Sequence, residues 1–391
     1  MEPSDLANLE EISLKLCLGK IQLPKRYFVS QIRLGREPRI KVLKGFRGVG
    51  KTTAMLQLAS KDSVYFSMDN PFAQKYSLYE LGKAFLEGGH GALFIDEVHT
   101  CRNWKGEAKA LYDEFPKASF ALSASAPLAF EPERRFDTMD VEPLSLREFA
   151  YLKGESHLQS DAWQDAAGAA MFLASFPQAY ALYAQYMQGG GFPSYLEYGD
   201  RTLASIYNSI LKSVREDSVF FANVGGEHIV SMEKMLLFLA SAPLGEFSAN
   251  SLAASIGIQK NKVYELVSLL EGMRILRYVR PYGTGAKLVR GEPKLMFHHP
   301  NLRSAICSQL SMAPNIGAIR EELAVFSFSG RGWKVHTIRG MKRSPDYIIE
   351  KDGQKAVVEI GGESKDRKQL AEFDFRKILV GEKQLIPLAF F

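Results

Sequence analysis

The chain has 391 residues, 46% hydrophobic and 24% charged; that is enough to bury several cores in about two to four domains, and too ordinary a balance for a disordered or disulfide-stapled protein. Its net charge is +5, and the segment Ser251 to Leu295, with eight Lys/Arg against three Glu, accounts for the whole excess; a surface of that segment is expected to face an anion. Cys17, Cys101 and Cys307 form no CxxC pair or metal spacing, and the acidic start (Glu2, Asp5, Glu10, Glu11) lacks a basic-then-apolar leader, so a cytoplasmic protein with reduced thiols and no secretory signal is expected.

Residues 1–35 read as a helix from Leu6 to Cys17 and a loop, with Leu6, Leu9, Ile12 and Leu16 at helical spacing. A short apolar strand (Ile40, Val42, Leu43) then runs into Gly45-Phe46-Arg47-Gly48-Val49-Gly50-Lys51-Thr52, followed by Thr53, a complete match to G-x-x-x-x-G-K-[ST]. Glycines at 45, 48 and 50 let backbone N–H groups converge on a polyphosphate, and the helix from Thr52 to Ser60 points its N-terminus at the anion. Lys51 is placed for the β- and γ-phosphates of ATP, and the Thr52 hydroxyl for Mg²⁺.

After a strand at Ser63–Ser67 and a helix at Leu78–Glu87 comes Ala92-Leu93-Phe94-Ile95-Asp96-Glu97. An uncharged run reads as a buried parallel strand, and its two terminal carboxylates sit where open α/β sheets bind ligands. Asp96 is expected to hold Mg²⁺ through water, and Glu97 to orient and deprotonate the attacking water. A further strand, Ser119–Leu122, leads to Ser123 and Ser125, the candidates for a polar side chain beside the γ-phosphate. Strands alternating with helices predict a parallel, doubly wound α/β sheet.

Gly45 to Thr53, Tyr65-Phe66-Ser67-Met68-Asp69-Asn70-Pro71, Phe94-Ile95-Asp96-Glu97-Val98-His99 with Trp104 and Leu111-Tyr112, Leu122-Ser123-Ala124-Ser125, and Pro143-Leu144-Ser145-Leu146-Arg147-Glu148-Phe149 together resemble the prokaryotic AAA+ ATPases that carry a C-terminal domain of unknown function. The resemblance runs through the whole chain, loosely past residue 200. It implies an N-terminal helical segment (1–35), an AAA+ P-loop core (36–150), a helical lid or linker (151–235), a winged helix (236–305) and a small α/β domain resembling restriction endonucleases, of the PD-(D/E)xK type (306–391).

Arg134 or Arg135, between the fourth strand and Pro143-Leu144, would serve as a trans-acting finger in a homo-oligomer or be a solvated loop residue. Residues 150–235 read as mostly helical, interrupted at Gly189-Gly190-Gly191-Phe192-Pro193 by either a lid hinge or a rigid turn. Within them Ala166–Met187 carries no formal charge, but Pro177 and its polar neighbours predict two packed helices rather than a membrane span. From Ser231, short helices capped at Ser248 or Asn250 lead into a helix over Asn261–Gly272 and a hairpin of Ile275–Arg280 with Lys294–Phe297, the pattern of a winged helix. Gln259 to Lys262 would enter the major groove of double-stranded DNA, and Arg277, Arg280, Lys287 and Arg290 would touch phosphates; packing within the molecule is the other use. His298-His299 stands where the family usually has an aspartate, with no third ligand for a metal. In the last section Glu322, Asp346 and Glu359 would coordinate Mg²⁺, but Gly361 occupies the place of the nuclease lysine, with only Lys365 or Lys368 to reach back. Weakened or absent nuclease activity is expected, beside a Mg²⁺-dependent ATPase that binds ATP and ADP and drives or switches its C-terminal modules; the alternative is a DNA-binding protein or degenerate nuclease switched by bound nucleotide.

Overall fold

A computed structural model describes residues 2–125, 134–155, 160–219, 225–244, 248–283, 293–338, 345–361 and 375–391. Lys287, Arg290, Lys365 and Lys368 lie outside them. The chain divides into two compact units, one formed by Met1–Glu142 with Arg215–Val224 and the other by Pro143–Val214 with Gly225–Phe391.

The first unit is built on five parallel strands, β1 (Ile40–Lys44), β2 (Ser63–Ser67), β3 (Ala92–Asp96), β4 (Ser119–Ala124) and β5 (Phe136–Asp140), in the order β2-β3-β4-β1-β5. Ile40, Val42, Val64, Phe66, Leu93, Ile95, Phe120 and Leu122 bury its interior against Leu81 and Phe85 of α3 (Leu78–Glu87) and Leu111 of α4 (Trp104–Glu114). α3 starts at a reciprocal cap, the Ser77 hydroxyl accepting from Glu80 N–H while the Glu80 carboxylate accepts from Ser77 N–H. The fifth strand has no apolar run to betray it. Phe136-Asp137-Thr138-Met139-Asp140 is an edge strand paired to β1 in a register that sets Lys41 opposite Asp137 and Lys44 opposite Asp140. Both form ion pairs, at 2.8 and 3.5 Å, so cross-strand charge as well as burial holds this edge.

The N-terminal helix α1 (Pro3–Lys20) is longer than its leucine spacing suggests and buries a different face. Asp5, Leu9 and Ser13 are buried while Leu16 is exposed. The polar residues are inside because each has a partner. Asp5 takes Lys75 Nζ and the Tyr76 hydroxyl, and the Ser13 hydroxyl accepts from Tyr65 N–H of the edge strand β2.

In the second unit, helices Leu146–Leu152, Ala166–Ser175, Gln178–Gln185, Thr202–Lys212, Gly226–Ser241, Ala249–Ile256 and Lys260–Gly272 precede an antiparallel ribbon of β6 (Leu276–Val279) and β7 (Lys294–Phe297). Two more helices, Pro300–Gln309 and Ile316–Gly330, lead to a four-stranded sheet ordered β11-β10-β9-β8. β8 (Lys334–Thr337), β9 (Tyr347–Lys351) and β10 (Gln354–Ile360) run antiparallel, and β11 (Arg376–Val380) lies parallel to β10. One hydrophobic core joins the early helices (Leu146, Phe149, Trp163, Tyr186) to this sheet and the last helix, Glu382–Ala389 (Val358, Ile378, Leu385, Phe390). The uncharged stretch 166–187 is broken at Pro177, and no helix of the described residues is long and apolar enough to cross a membrane.

The glycine cluster forms a closely packed, hydrogen-bonded turn. Gly189 has φ +128°, and a Cβ on Gly191 would stand 2.2 Å from a ring carbon of His299. Gly191 N–H donates to Asn301 Oδ1 at 2.8 Å, and its carbonyl accepts from Leu144 N–H at 2.7 Å. His299 is thereby a packing and capping residue: its Nδ1 accepts from Asn301 N–H, and its Nε2 pairs with the Tyr186 hydroxyl at 2.8 Å.

Glu322 does not join a metal cluster. It is buried, accepting from Arg303 Nε and Nη2 and from Phe297 N–H, while Arg303 Nη1 donates to the carbonyls of Leu239, Ala240 and Ala242 at the end of the helix Gly226–Ser241. Burial pushes the Glu322 carboxyl up to about 7 against the pull of Arg303. Removing one partner of such a pair leaves an uncompensated buried charge. Arg303→Met is therefore expected to cost about 3–5 kcal/mol in urea unfolding, and the double change Arg303→Met/Glu322→Leu to recover much of it; equal losses in the single and double variants would show that the pair is not the cause.

Candidate functional site

The loop Gly45–Gly50 joins β1 to α2 (Lys51–Leu58). Its first glycine is dictated by the neighbouring strand. Val141 N–H donates to the Lys44 carbonyl at 2.7 Å, and a Cβ on Gly45 would fall 2.2 Å from the Val141 carbonyl oxygen. Gly50 turns the chain into the helix with φ +94°, a conformation that side chains rarely adopt. Two of the variable positions face inward and anchor the loop, since Phe46 and Val49 are buried. Arg26 adds a brace, donating through Nη1 to the carbonyls of Val49 and Glu142.

Lys51 is 6% exposed, and its ammonium donates to the carbonyls of Gly45 (2.8 Å) and Phe46 (3.0 Å). Burial lowers its pKa, opposed by the charges of Glu97 and Asp96. Both carboxylates reach it by strand order. β4 lies between β1 and β3, so the loops after β1, β3 and β4 open on one sheet edge, and the pairing of Ile95 with Leu122 sets Asp96 level with Ser123.

Asp96 is 3% exposed and surrounded by donors. Thr52 Oγ1 donates to its Oδ2 at 2.5 Å and the Tyr65 hydroxyl to the same oxygen at 2.9 Å; its Oδ1 accepts from the Ser123 hydroxyl and from Glu97 N–H at 3.0 Å. Four donors offset the cost of burying the charge. Burial and then the Asp96 charge push the Tyr65 hydroxyl well above its ordinary range. Glu97 adopts φ +50°, a left-handed conformation uncommon outside glycine. Its carboxyl is pushed up by burial and by Asp96, and its Oε2 is a buried oxygen that accepts no aligned hydrogen bond.

A second polar centre lies beside the first. Asp217, at the end of a π-helical turn (Ser213–Asp217), belongs by its contacts to the first unit. Arg47 of the loop donates to it through Nη2 (2.6 Å) and Nε (3.1 Å), and the Ser125 hydroxyl donates at 3.1 Å. His99 Nε2 stands 3.3 Å from Asp217 Oδ1, and His99 Nδ1 stands 3.1 Å from Glu97 Oε2. Burial alone would raise the Asp217 carboxyl; hydrogen bonds from His99 and Arg47 outweigh it and hold the group at about 2.

The residues present fit Mg²⁺ and a nucleotide. A buried ammonium whose partners are two loop carbonyls can exchange them for phosphate oxygens, and a buried carboxylate oxygen with no aligned hydrogen bond can accept one from a water. Thr52 and Asp96 would hold Mg²⁺. Among the described residues no group of three His, Cys, Asp or Glu could hold a metal by itself.

Of the expected site residues, Gly45 to Thr53, Asp96, Glu97 and Ser123 converge, and Ser125 turns to Asp217. Arg135 pairs with Asp113 on the surface (3.0 Å), and Arg134 is exposed. Arg277 does not face outward for phosphate; its Nη1 donates to Ser329 Oγ at 2.6 Å. Asp346 accepts from Ile360 N–H and Glu359 from Asp346 N–H; with Glu322 held by Arg303, the expected metal trio does not assemble among the described residues. Tyr65, His99 and Asp217 had no role in the sequence reading. Tyr65 lies in a run read simply as a strand, and nothing in the motif spacing points to Asp217.

Residues 37–150 match the AAA domain, and residues 180–312 match a domain of unknown function, DUF8612. The chain is similar to the uncharacterized protein MJ1637 of Methanocaldococcus jannaschii, 27% identical over 378 residues that cover 84% of this chain and 76% of the relative. Among solved structures it is similar to RuvB, the Holliday junction branch migration motor of Thermotoga maritima, with TM-score 0.32 and 14% identity over 78% of this chain and 95% of that one. PCH-2 of C. elegans gives TM-score 0.28 and 13% identity over 54% of this chain and 63% of that one. Likenesses of that size transfer no role. The five-stranded parallel sheet is consistent with the AAA match over residues 37–150.

The depressed Asp217 carboxyl has a measurable consequence. Its pKa falls from an ordinary 3.8 to about 2 on folding, so its contribution of about 2 kcal/mol is complete above the unfolded value and is lost as pH falls through the folded one. Stability measured by urea unfolding should drop less steeply between about pH 4 and pH 2 in Asp217→Asn than in the wild type; parallel curves would count against the pairing.

Proposed function

We propose that the protein is a Mg²⁺-dependent ATPase whose hydrolytic site is the sheet edge formed by Gly45–Thr53, Asp96, Glu97 and Ser123. The observation that carries this reading is the buried Asp96 carboxylate bound by the Thr52 hydroxyl, with Lys51, next to Thr52, and Glu97, next to Asp96, both within its field. The loop and the N-terminus of α2 receive the phosphates, and Lys51 exchanges its two loop carbonyls for phosphate oxygens. Bound Mg²⁺ supplies charge neutralisation on the phosphate oxygens. Thr52, oriented by its donation to Asp96, keeps lone pairs for that ion. Glu97 takes one proton from a water while the water oxygen bonds to the terminal phosphorus and the bridging P–O bond to the leaving diphosphate breaks. Burial and Asp96 raise the Glu97 carboxyl, and so bring a base nearer the operating pH. Ser123, on the other Asp96 oxygen, reports any movement of that carboxylate to β4. The C-terminal unit is what the cycle would move.

Two substitutions separate binding from chemistry. Lys51→Ala removes a charge-assisted contact and should weaken ATP affinity by about 10- to 150-fold by calorimetry. Glu97→Gln should keep ATP affinity and lose about 10²–10⁴ in kcat. Phosphate release measured with Mg²⁺, with and without duplex DNA, completes the test. Wild-type turnover in Lys51→Ala or Glu97→Gln would remove these residues from the site, and no heat with ATP or ADP would remove the site itself.

A further inference from the structure

The Glu97–His99–Asp217 line is the feature that the nucleotide chemistry leaves unused. Its imidazole lies between two carboxylates, with Nδ1 3.1 Å from Glu97 Oε2 and Nε2 3.3 Å from Asp217 Oδ1. His99 and Asp217 side chains are each 1% exposed, so water does not screen the pair or compete for the ring. Asp217 is fixed from two further directions, by the fork of Arg47 and by the Ser125 hydroxyl. Asp96 is fixed by its own four donors, but Glu97 is not; its Oε2 has the ring beside it without an aligned hydrogen bond. Catalytic contacts are often loose of this kind before substrate arrives and tighten afterwards.

Resting on the ATPase reading, we infer that His99 and Asp217 are positioning residues for that reaction: Asp217 orients the imidazole so that Nδ1 faces Glu97, and the ring fixes the carboxylate that receives the proton of the attacking water. Nε2 lies 3.3 Å from both Asp217 Oδ1 and Ser125 Oγ, which set the ring plane, and a ring carrying both protons donates Nε2–H to that side and Nδ1–H to the Glu97 carboxylate. The same Asp217 holds Arg47 inside the phosphate loop, so one side chain ties the loop, the base and the segment after Ser213 into one unit. The chain brings this segment back to the first unit between two stretches that belong to the second. The hydrolytic site is therefore incomplete without a residue that lies outside the AAA match at 37–150.

The test uses the full chain with Mg²⁺ and ATP. Asp217→Asn and His99→Gln should each lower kcat by roughly 10- to 100-fold, as loss of an outer-shell orienting group does; His99→Gln, which leaves the Arg47–Asp217 pair in place, should keep wild-type ADP affinity by calorimetry. Either change added to Glu97→Gln should lower kcat no further than Glu97→Gln alone, because groups acting as one unit are not additive. Should Asp217→Asn fail to fold, as its thermal transition would reveal, His99→Gln carries the comparison alone. Ordinary kcat in both variants overturns the relay while the ATPase reading stands. Loss of ADP affinity in step with kcat in His99→Gln also overturns it, since the ring then acts on binding rather than on the base. A wild-type protein that binds nucleotide and never turns it over removes the reading and the relay together.

Discussion

The arrangement of the first unit depends on one buried carboxylate. Asp96 ends a strand that is apolar up to that point, and a lone charge there would be costly. It is retained because four donors from four places in the chain reach it: the Thr52 hydroxyl from α2, the Tyr65 hydroxyl from β2, the Ser123 hydroxyl from β4 and the adjacent Glu97 N–H. Each donor fixes an element. The phosphate loop is tied through Thr52, the edge strand through Tyr65 and the next strand through Ser123, so the sheet edge is a set of mutually held groups rather than a row of loop ends.

Around that anchor the charges are graded. Lys51 is drawn toward the carboxylates and held by loop carbonyls, and Glu97 is raised by its own burial and by its neighbour. Asp217, buried a short distance away, is held low by the imidazole and guanidinium around it. Two acidic side chains in one pocket thus have opposite tendencies, one toward the proton and one away from it. Environments that push titratable groups apart in this way are the usual basis for assigning acid–base roles.

The second unit follows a different rule. Its early helices and its C-terminal sheet share a single core, and its buried polar groups are spent on closure: Arg303 with Glu322 and three helix-end carbonyls, Asn301 with Gly191 and the carbonyls of Tyr186 and Met187. This is why residues that a linear reading offers as metal or phosphate ligands, Glu322 and Arg277, are internal fasteners. Charge type alone does not distinguish a ligand from a fastener. The kind of partner does: Glu322 is neutralised by a buried guanidinium, whereas the donors on Asp96 are uncharged hydroxyls and one backbone N–H.

The sequence by itself determined the phosphate loop, the carboxylate pair after a buried strand and the parallel alternation that places them at one sheet edge, because these depend on local spacing and on side-chain period. It also placed Ser123 on the strand that turns out to bear on Asp96. Tertiary structure alone decided the rest. β5 is held by its register with β1 and by lysine–aspartate pairs that no apolar pattern announces. Asp217 arrives from far along the chain, through a segment whose composition is unremarkable, and acquires its role only from Arg47, His99 and Ser125 around it. Spacing along a chain encodes what neighbours in sequence can do together; which distant groups share a desolvated pocket is fixed only when the whole chain has closed.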